Sequence, residues 1–357
     1  MRHHTLLLAT VLATAPAAAQ YKSNYDYHTR AFEHIDVSIT AGTTGLGFDV
    51  ATPITPALRL RGGMTFMPHM DYDVTFAINA GRYDSEGQWH ETSMESMQRY
   101  INLMHEMTGI TVDTEVQMTG TPTMWDAHVL LDVLPFRNKH WHLSAGFYVG
   151  SRQVARAVNK TSDMPSLIAV GIYNQMYDHA ANGEPVLRYG SGDDAIELYR
   201  PDLVNYGRMG FMLGEYTHDV YYTEDVLYTE TFMDETGIHY AGDVRIAKGS
   251  IRYHAGDPYM MEPDENSMAR ARVLVNRFRP YIGFGYGGRL LRGSDDYHIS
   301  FDAGLMMWGG TPQVVTHDGT DLTQDVRNIA GKVGDYVSLI KSAPAYPVLS
   351  LRLTRRF

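Results

Sequence analysis

The last eleven residues of the chain, 347–357, alternate between two kinds of side chain. The apolar set is Leu349, Leu351, Leu353 and Phe357, and the polar set is Ser350, Arg352 and Thr354. A period of two residues is that of a β-strand, whose successive side chains point to opposite faces. A stripe of about 9–11 residues is long enough for a tilted strand to cross a bilayer. The segment therefore predicts the closing strand of a transmembrane β-barrel, ending on an aromatic residue.

The amino-terminal residues have the three parts of a secretory signal peptide. A basic start at 2–4 is followed by an apolar run at 6–15 and by three alanines at 17–19, where cleavage is expected. The run is too short for a spanning helix, and no cysteine follows it to carry a lipid. We expect a signal peptide at 1–19, a periplasmic tail at 20–34 and a barrel domain at 35–357. A buried first helix is the alternative reading.

Composition narrows the class of protein. No other segment has about 18 uninterrupted apolar residues, so a helical membrane protein is not expected. The chain has no cysteine, which excludes disulfides and thiolate metal sites. Its net charge of −11 argues against nucleic acid as a partner. With 33 glycines and 24 tyrosines, the composition suits short strands, tight turns and interfacial aromatic residues. We predict neither a cofactor nor a metal site.

Eight segments show the alternation of a strand. They are 35–42, 45–53, 57–69, 122–135, 141–152, 278–290, 297–309 and 347–357. Their connections alternate between short turns and long insertions, the insertions being 70–121, 153–277 and 310–346. This alternation is typical of outer-membrane barrels, in which periplasmic turns are short and extracellular loops are long. The sequence predicts an all-β membrane protein, an eight-stranded antiparallel transmembrane β-barrel with long, partly helical extracellular loops.

Near Gly45 the apolar residues of the alternating pattern change from odd-numbered to even-numbered positions. This reversal of parity leaves two readings of residues 35–53. A tight turn would make them a hairpin, and a single β-bulge would make them one longer strand. We favour the hairpin, because it gives an even number of strands and places both termini in the periplasm.

Charged residues within the strands are predicted to face the barrel interior, because arginine is costly on a lipid-facing surface. The predicted lumen set is Arg59, Arg61, Arg352, Asp49, Asp126, Asp132, Asp302, His128, His142 and His298. Buried charges persist when they are paired, and an eight-stranded barrel has room only for side chains. We therefore predict a filled lumen and no channel.

The opposite parity predicts the lipid-facing residues, with aromatic side chains in girdles at the membrane interfaces. This set is Trp125, Trp141, Phe147, Phe284, Tyr286, Tyr297 and Phe357.

The insertions carry helical patterns and one acidic stretch. A capping box at Thr92 and Glu95 precedes a helix that Gly109 ends, and Pro165 opens a second helix that ends at Gly183. A third helix is predicted from the apolar stripe Val326, Ile329, Val333, Val337 and Ile340. Between 178 and 239 there are thirteen Asp or Glu and three Arg, interleaved with tyrosines, which predicts a small folded lobe.

Several strand segments together are similar to a known family. They are GTTGLGFDV at 42–50, LLDVLPF at 130–136, HLSAGFYVG at 142–150, PYIGFG at 280–285 and PVLSLRLT at 347–354. In this order, behind a signal peptide, they resemble the small outer-membrane β-barrel proteins of Gram-negative bacteria, of the OmpA-like, porin-like type. The resemblance covers about a third of the chain and none of the long insertions. It implies a fold and a membrane, and the family has no shared active site to carry over.

We therefore predict a non-enzymatic integral outer-membrane protein with a surface lobe that has a structural or a ligand- or adhesion-type binding role. The expected partners are outer-membrane lipid and the barrel-insertion machinery, which would recognise the strand ending in Phe357. An extracellular ligand is left open. Two alternatives remain. One is a surface hydrolase, for which His69, Ser151 and Asp318 are candidates. The other is a small-solute channel.

Overall fold

The computed structural model describes residues 30–83, 89–109, 111–136, 140–190, 196–233, 239–290, 296–329 and 331–357. The predicted signal peptide and residues 20–29 of the predicted tail lie outside the described residues.

The strands, in chain order, are β1 (Asp36–Gly42), β2 (Gly45–Thr55), β3 (Leu58–Phe66), β4 (Tyr72–Ala77), β5 (Asn79–Tyr83), β6 (Trp89–Glu91), β7 (Glu115–Pro122), β8 (Trp125–Val133), β9 (Trp141–Gly150), β10 (Gln153–Asn159), β11 (Leu187–Tyr189), β12 (Ile196–Leu198), β13 (Arg208–Tyr216), β14 (Val220–Tyr221), β15 (Val226–Met233), β16 (His239–Ile246), β17 (Ile251–Tyr253), β18 (Pro258–Met261), β19 (Arg270–Leu274), β20 (Phe278–Arg289), β21 (Tyr297–Met307), β22 (Gln313–Thr316), β23 (Val326–Arg327) and β24 (Ala345–Arg356). The helices are α1 (Met94–Thr108), α2 (Met164–Ala181) and α3 (Gly331–Ser342), with 3₁₀ turns at Thr161–Asp163 and Pro201–Asn205.

Eight strands close into an antiparallel barrel in the order β1-β2-β3-β8-β9-β20-β21-β24. The barrel closes where β1 pairs with β24, from Asp36 opposite Arg356 to Gly42 opposite Ser350. Each of the eight segments predicted from alternation forms one of these strands, and the predicted fold class is confirmed.

Residues 35–53 form a hairpin, which decides between the two readings of the parity reversal. Gly42 pairs with Gly45 across a two-residue turn. Gly45 has φ +97°, and a side chain there would overlap the carbonyl oxygen of Phe66 on β3. Only glycine satisfies both conditions, so this position fixes the turn and with it the even strand count.

The outer wall of the barrel is apolar all the way round. Every barrel strand exposes large apolar side chains, among them Ile39, Leu46, Leu60, Val129, Leu143, Ile282, Phe301 and Leu351. An apolar surface of this extent is rare on soluble monomers, and a band of outward aliphatic residues is the lipid-facing surface of a transmembrane barrel. Among the described residues, no helix is long and apolar enough to cross a membrane.

The two ends of the barrel differ. The turn end carries the turn at 56–57 and the described residues of the connections 134–140 and 290–296, together with residues 30–35 and Phe357. The loop end carries the turn at 43–44 and the segments 67–124, 151–277 and 308–344. The described residues of these three segments fold together, and we call them the loop lobe.

The loop lobe begins as a continuation of the barrel wall. A five-stranded sheet in the order β22-β19-β10-β7-β4 is built from strands that directly follow or precede barrel strands. A second sheet, β18-β13-β5-β6, brings the first and second insertions together, and β23 of the third insertion pairs with β13. The acidic stretch 178–239, predicted to fold as a small lobe, is not a lobe of its own, because its strand β13 pairs with β5 of the first insertion, β18 of the second and β23 of the third.

One apolar core holds the loop lobe together. Its buried members come from all three insertions and include Ile78, Met97, Val116, Leu167, Tyr173, Phe211, Tyr259, Leu322 and Val337. Helix α2 has Pro165 in its first turn and is followed by Gly183 at φ 73°, as predicted.

Two helix predictions need correction. The cap of α1 is Ser93, whose hydroxyl accepts from Ser96 N, whereas Thr92 Oγ1 donates to Tyr206 O. Helix α3 begins only at Gly331, and Val326 lies in β23 paired with Tyr216. The apolar spacing from 326 to 340 fits one long helix, and it also fits a short strand followed by a helix. The pairing of β23 with β13 selects the second arrangement.

Candidate functional site

The centre of the barrel holds a network of ion pairs built around Asp132. Its two carboxylate oxygens accept from Arg59 Nη2 and Arg61 Nη2, each at 2.9 Å. Ser144 Oγ donates to the same carboxylate at 2.6 Å. Asp132 itself is fully buried. A buried carboxylate with three donors has its desolvation offset by charge-assisted hydrogen bonds, so this cluster fixes three strands to one another.

Arg61 extends the network across the lumen. Its Nη1 lies 3.6 Å from Asp302 Oδ1, on the strand opposite β3 in the barrel order, and 3.9 Å from Asp49 Oδ2. Asp302 also accepts from His142 Nε2 at 2.7 Å and from Arg352 Nη2 at 3.1 Å. The chain of charges thus joins opposite walls, and it blocks the lumen at this level.

Two further pairs lie toward the loop end. His128 Nε2 is 2.8 Å from Asp49 Oδ1. Asp126 Oδ1 accepts from Arg279 Nη1 at 2.5 Å, and both side chains are fully buried. Arg279 was absent from the predicted lumen set. Its parity matches the inward Gly283 and Gly285 of the same strand, and that signal was sufficient to find it.

An apolar and aromatic cluster lines the lumen from the level of Arg61, where Leu130 lies, to the loop end, and we call it the aromatic layer. It consists of Met124, Leu130, Tyr148, Val275, Tyr281, Met306, Trp308 and Val348. The rings of Tyr148 and Tyr281 lie 5.3 Å apart, edge to face, and the guanidinium of Arg279 lies 5.5 Å from the Trp308 ring. The predicted lumen set contains only Arg, Asp and His residues, so it includes no member of this layer.

The structure brings most of the predicted lumen residues into these contacts. Arg61, Arg352, Asp49, Asp126, Asp132, Asp302, His128 and His142 are buried, and Arg59 and His298 are half-buried near the turn end. His298 lines a pocket there with Arg59 and Arg352.

The predicted lipid-facing aromatic residues lie on the outer wall. Trp125, Trp141, Phe147, Phe284, Tyr286 and Phe357 are exposed, and Tyr297 is half-buried. Trp141 contacts Tyr286 at 5.0 Å toward the turn end, and Phe147 contacts Phe278 at 5.3 Å toward the loop end. The aromatic side chains therefore form two groups near the ends of the strands, which is the arrangement of interfacial girdles.

A large cleft opens in the loop lobe, with a volume of about 1320 Å³. Five tyrosines line it, Tyr177, Tyr216, Tyr221, Tyr222 and Tyr253, together with Arg82, Arg208, Arg252 and several carboxylates. Tyr216 and Tyr253 are stacked with ring centroids 4.9 Å apart. Burial raises the pKa of the Tyr177 and Tyr216 hydroxyls, so both remain neutral hydrogen-bond donors.

Arg252 is held in this cleft by aromatic rings. Its guanidinium lies 5.7 Å from the Tyr222 ring and 5.2 Å from the Tyr253 ring, and among the described residues no carboxylate forms an ion pair with it. Arg208, in contrast, is bound by Glu262 through two hydrogen bonds of 2.6 and 2.7 Å and also contacts Asp178. Arg252 therefore retains donors that can bind a ligand.

Most carboxylates of the cleft accept hydrogen bonds from residues of the loop lobe itself. Asp318 accepts from Tyr259 Oη at 2.9 Å and from Thr320 N at 3.0 Å. Asp219 accepts from Ala255 N at 2.8 Å. Within the described ranges, no group of three or more His, Asp or Glu side chains has the arrangement of a metal site.

The closed barrel, the apolar outer wall and the filled lumen define an eight-stranded antiparallel transmembrane β-barrel of the outer-membrane type. No protein-family model matches the chain, and no curated protein matches it.

Solved structures of outer-membrane proteins are among those similar to it. CarO2 of Acinetobacter baumannii is 11% identical, with 92% of this chain and 100% of that chain covered and a TM-score of 0.35. A major outer membrane protein from Thermus thermophilus is 11% identical, with 91% and 98% covered and a TM-score of 0.26. The toluene transporter TodX of P. putida is 10% identical, with 89% and 69% covered and a TM-score of 0.20.

Proposed function

We propose that the protein is an integral outer-membrane protein whose barrel is a sealed anchor and whose loop lobe binds an extracellular ligand without catalysis. In this proposal the turn end and both termini face the periplasm, and the loop lobe lies outside the cell. Outer-membrane lipid covers the apolar wall, and the strand ending in Phe357 is the segment that the barrel-insertion machinery recognises.

The observation that carries this proposal is the contrast between the lumen of the barrel, which is filled, and the loop lobe, which has an open cleft. The lumen is crossed by Arg61 and closed by the aromatic layer, whereas the loop lobe has its own apolar core and an open cleft of about 1320 Å³. A cleft of this size, with convergent polar groups on a rigid support, is typical of a binding site.

The chemistry of the cleft favours a saccharide that carries a carboxylate. Tyrosine rings offer rigid amphipathic surfaces on which sugar rings can lie, and their hydroxyls can donate to sugar oxygens. The planar fork of Arg252 matches a carboxylate in two-point geometry. Four of the five carboxylates that line the cleft, Asp219, Glu262, Asp318 and Asp325, already accept from groups other than Arg252.

Neither alternative function gains support from the described contacts. His69 pairs with Asp71 at 3.3 Å, Ser151 accepts from Trp125 N at 3.4 Å, and Asp318 binds Tyr259. Among the described residues these three candidates form no Ser-His-Asp arrangement. A channel is disfavoured because two layers of side chains fill the lumen.

The matched sugars sialyllactose and lactose test the proposal, because they share two rings and differ by the sugar that bears the carboxylate. Purified protein in detergent is titrated with each sugar by calorimetry. We expect sialyllactose to bind and Arg252→Gln to weaken it by about tenfold or more, since a charge-assisted bond is lost. The control is Arg188→Gln, at an exposed arginine of the same lobe outside the cleft. Absence of sialyllactose binding, or an equal loss in both variants, would contradict the proposal.

A further inference from the structure

The outward face of the barrel carries one charged side chain, Arg355 of β24. At every other outward position of the eight barrel strands, all of which are described, the residue is apolar, aromatic, glycine, proline or threonine. Arg355 continues the outward row of Leu349, Leu351 and Leu353, and its side chain is exposed. Arginine on a lipid-facing surface is costly at the bilayer midplane, and the cost falls toward the interfaces. A lone cation on this wall is therefore expected at a depth where the lipid supplies an anion.

Arg355 lies at the level of the aromatic residues near the turn end. It is in register with Tyr297 of β21 and with Val37 of β1. The next residue, Arg356, donates its backbone N–H to Asp296 O at 2.8 Å, in the connection at the turn end. Girdles of aromatic residues lie at the depth of the lipid headgroups. The guanidinium of Arg355 is therefore at the depth of the lipid phosphates.

Two aromatic rings hold Arg355 in place. Its guanidinium lies 4.6 Å from the Phe357 ring and 5.7 Å from the Tyr297 ring. Phe357 is itself fixed to β1, because its N donates to Ile35 O at 2.9 Å and its O accepts from Ile35 N at 3.2 Å. In the part of the chain that the structure describes, no Asp or Glu side chain forms an ion pair with Arg355. The rings contact the guanidinium without accepting its N–H groups, so these donors stay available to a ligand.

We propose that Arg355 binds the phosphodiester of a glycerophospholipid whose acyl chains lie on the apolar wall beside it. The planar fork of arginine matches two oxygens of a phosphate. Toward the middle of the membrane, the exposed side chains of Leu353, Leu351 and Ile39 follow Arg355 and would contact the acyl chains. A phospholipid therefore satisfies both the charge and the apolar surface next to it, whereas a free phosphate ion satisfies only the charge.

The site is confined to one leaflet of the membrane. The outward residues at the loop end of the barrel strands, such as Leu46, Phe66, Trp125 and Phe278, are uncharged. In the orientation of the proposed function, the lipid at Arg355 belongs to the periplasmic leaflet. Only this assignment of the leaflet rests on the proposed function, since the site itself depends on the barrel alone.

The matched lipids dioleoylphosphatidylglycerol and dioleoylglycerol test the proposal, because they share their acyl chains and differ in the headgroup that bears the phosphate. Delipidated protein in a maltoside detergent is titrated with each lipid, and bound lipid is counted by native mass spectrometry. We expect the wild type to bind phosphatidylglycerol more tightly than dioleoylglycerol. Arg355→Gln should weaken phosphatidylglycerol binding at one site by about five- to tenfold, since a charge-assisted bond is lost. The control Arg188→Gln, which removes one positive charge from the loop lobe, should keep the wild-type affinity.

Two further variants separate the phosphate contact from an effect on folding. Arg355→Lys keeps the charge without the fork, so its affinity should lie between those of the wild type and Arg355→Gln. Folding is checked by the gel-mobility shift of the unheated barrel. If Arg355→Gln does not fold, Arg355→Leu replaces it, because leucine extends the apolar row of β24 and should lose the same lipid.

Three results would overturn the proposal. They are equal affinities of phosphatidylglycerol for the wild type and for the folded Gln or Leu variant, equal affinities of the two lipids for the wild type, and displacement of bound phosphatidylglycerol by an equal concentration of inorganic phosphate. The last result would show that the ion alone is recognised. None of them depends on sialyllactose binding in the cleft, so the two proposals can fail separately.

Discussion

The charged side chains of the lumen fit because glycines stand beside them on neighbouring strands. Gly63 is in register with Asp49, Gly150 with Asp126, and Gly285 with both Asp302 and His142. At Gly285 a Cβ atom would overlap the His142 ring and lie 2.8 Å from Asp302 Oδ1. These glycines thus provide the volume in which buried ion pairs reach hydrogen-bonding distance.

The substitution Gly285→Ala tests this role of glycine. We expect it to lower the unfolding free energy by about 1–3 kcal/mol, because the added methyl group forces His142 or Asp302 from its place. The measurement is urea unfolding of the barrel in lipid vesicles. Gly62→Ala is the matched control, since a Cβ there meets its nearest atom, His128 O, at 3.6 Å. Equal stabilities of the two variants would contradict the packing role.

Individual lumen residues were predictable only in part from the sequence. Strand parity and the cost of arginine in lipid place Arg59, Arg61 and Arg352 inside, because both arguments are local. The partner of each charge depends on register between strands far apart in the chain, as for Arg61 and Asp302, and no local pattern encodes it. Arg279 has the inward parity of Gly283 and Gly285, so the same local argument applies to it although the predicted set omits it.

At the scale of elements, the loop lobe depends on a polar clip between a helix and a strand. Asn174 of α2 is buried, its Nδ2 donates to Met209 O at 2.8 Å, and its Oδ1 accepts from Met209 N at 2.9 Å. The side chain thereby continues the hydrogen-bonding pattern of β13 as a neighbouring strand would. It satisfies two buried backbone groups that otherwise face an apolar helix.

Loss of the clip should loosen the loop lobe and leave the barrel intact. Asn174→Ala leaves the N–H and C=O of Met209 buried without partners, and we expect a loss of about 2–4 kcal/mol in the stability of the lobe. Limited proteolysis of the protein in detergent measures this, with faster cleavage within 151–277 and an unchanged barrel core. The control Gln175→Ala changes an exposed neighbour on the same helix. Similar cleavage rates for the two variants would show that the clip is dispensable.

The elements of the barrel and of the loop lobe differ in how far the sequence determines them. Barrel strands alternate strictly because one face always meets lipid, so eight of them could be delimited to within a few residues. Strands such as β5, β18 and β23 are short and pack on a core assembled from three distant insertions. Their residues, like Val326, fit more than one local structure, and only long-range pairing selects among them.

At the scale of the whole molecule, the two layers of the lumen act in series. The ion pairs around Arg61 join opposite walls near the centre, and the aromatic layer extends from that level to Trp308 at the loop end. An ion crossing the barrel would have to displace both a hydrogen-bonded charge network and a close-packed apolar layer. Each layer alone is an energetic barrier, so the wild-type protein should not conduct in planar bilayers.

The same reasoning predicts how conduction could be created. Replacing Arg61 and Asp132 by serine removes the central crossing and its main carboxylate together. Asp302 keeps Arg352 as a partner, and Arg59 keeps Asp36 at 3.8 Å. Adding Trp308→Ala opens the aromatic layer. We expect the triple variant to show small ion currents in planar bilayers, whereas Trp308→Ala alone stays silent because the charge network still spans the lumen. Current through the wild type, or equal currents through Trp308→Ala and the triple variant, would contradict this position of the barrier. Either result would favour the channel function.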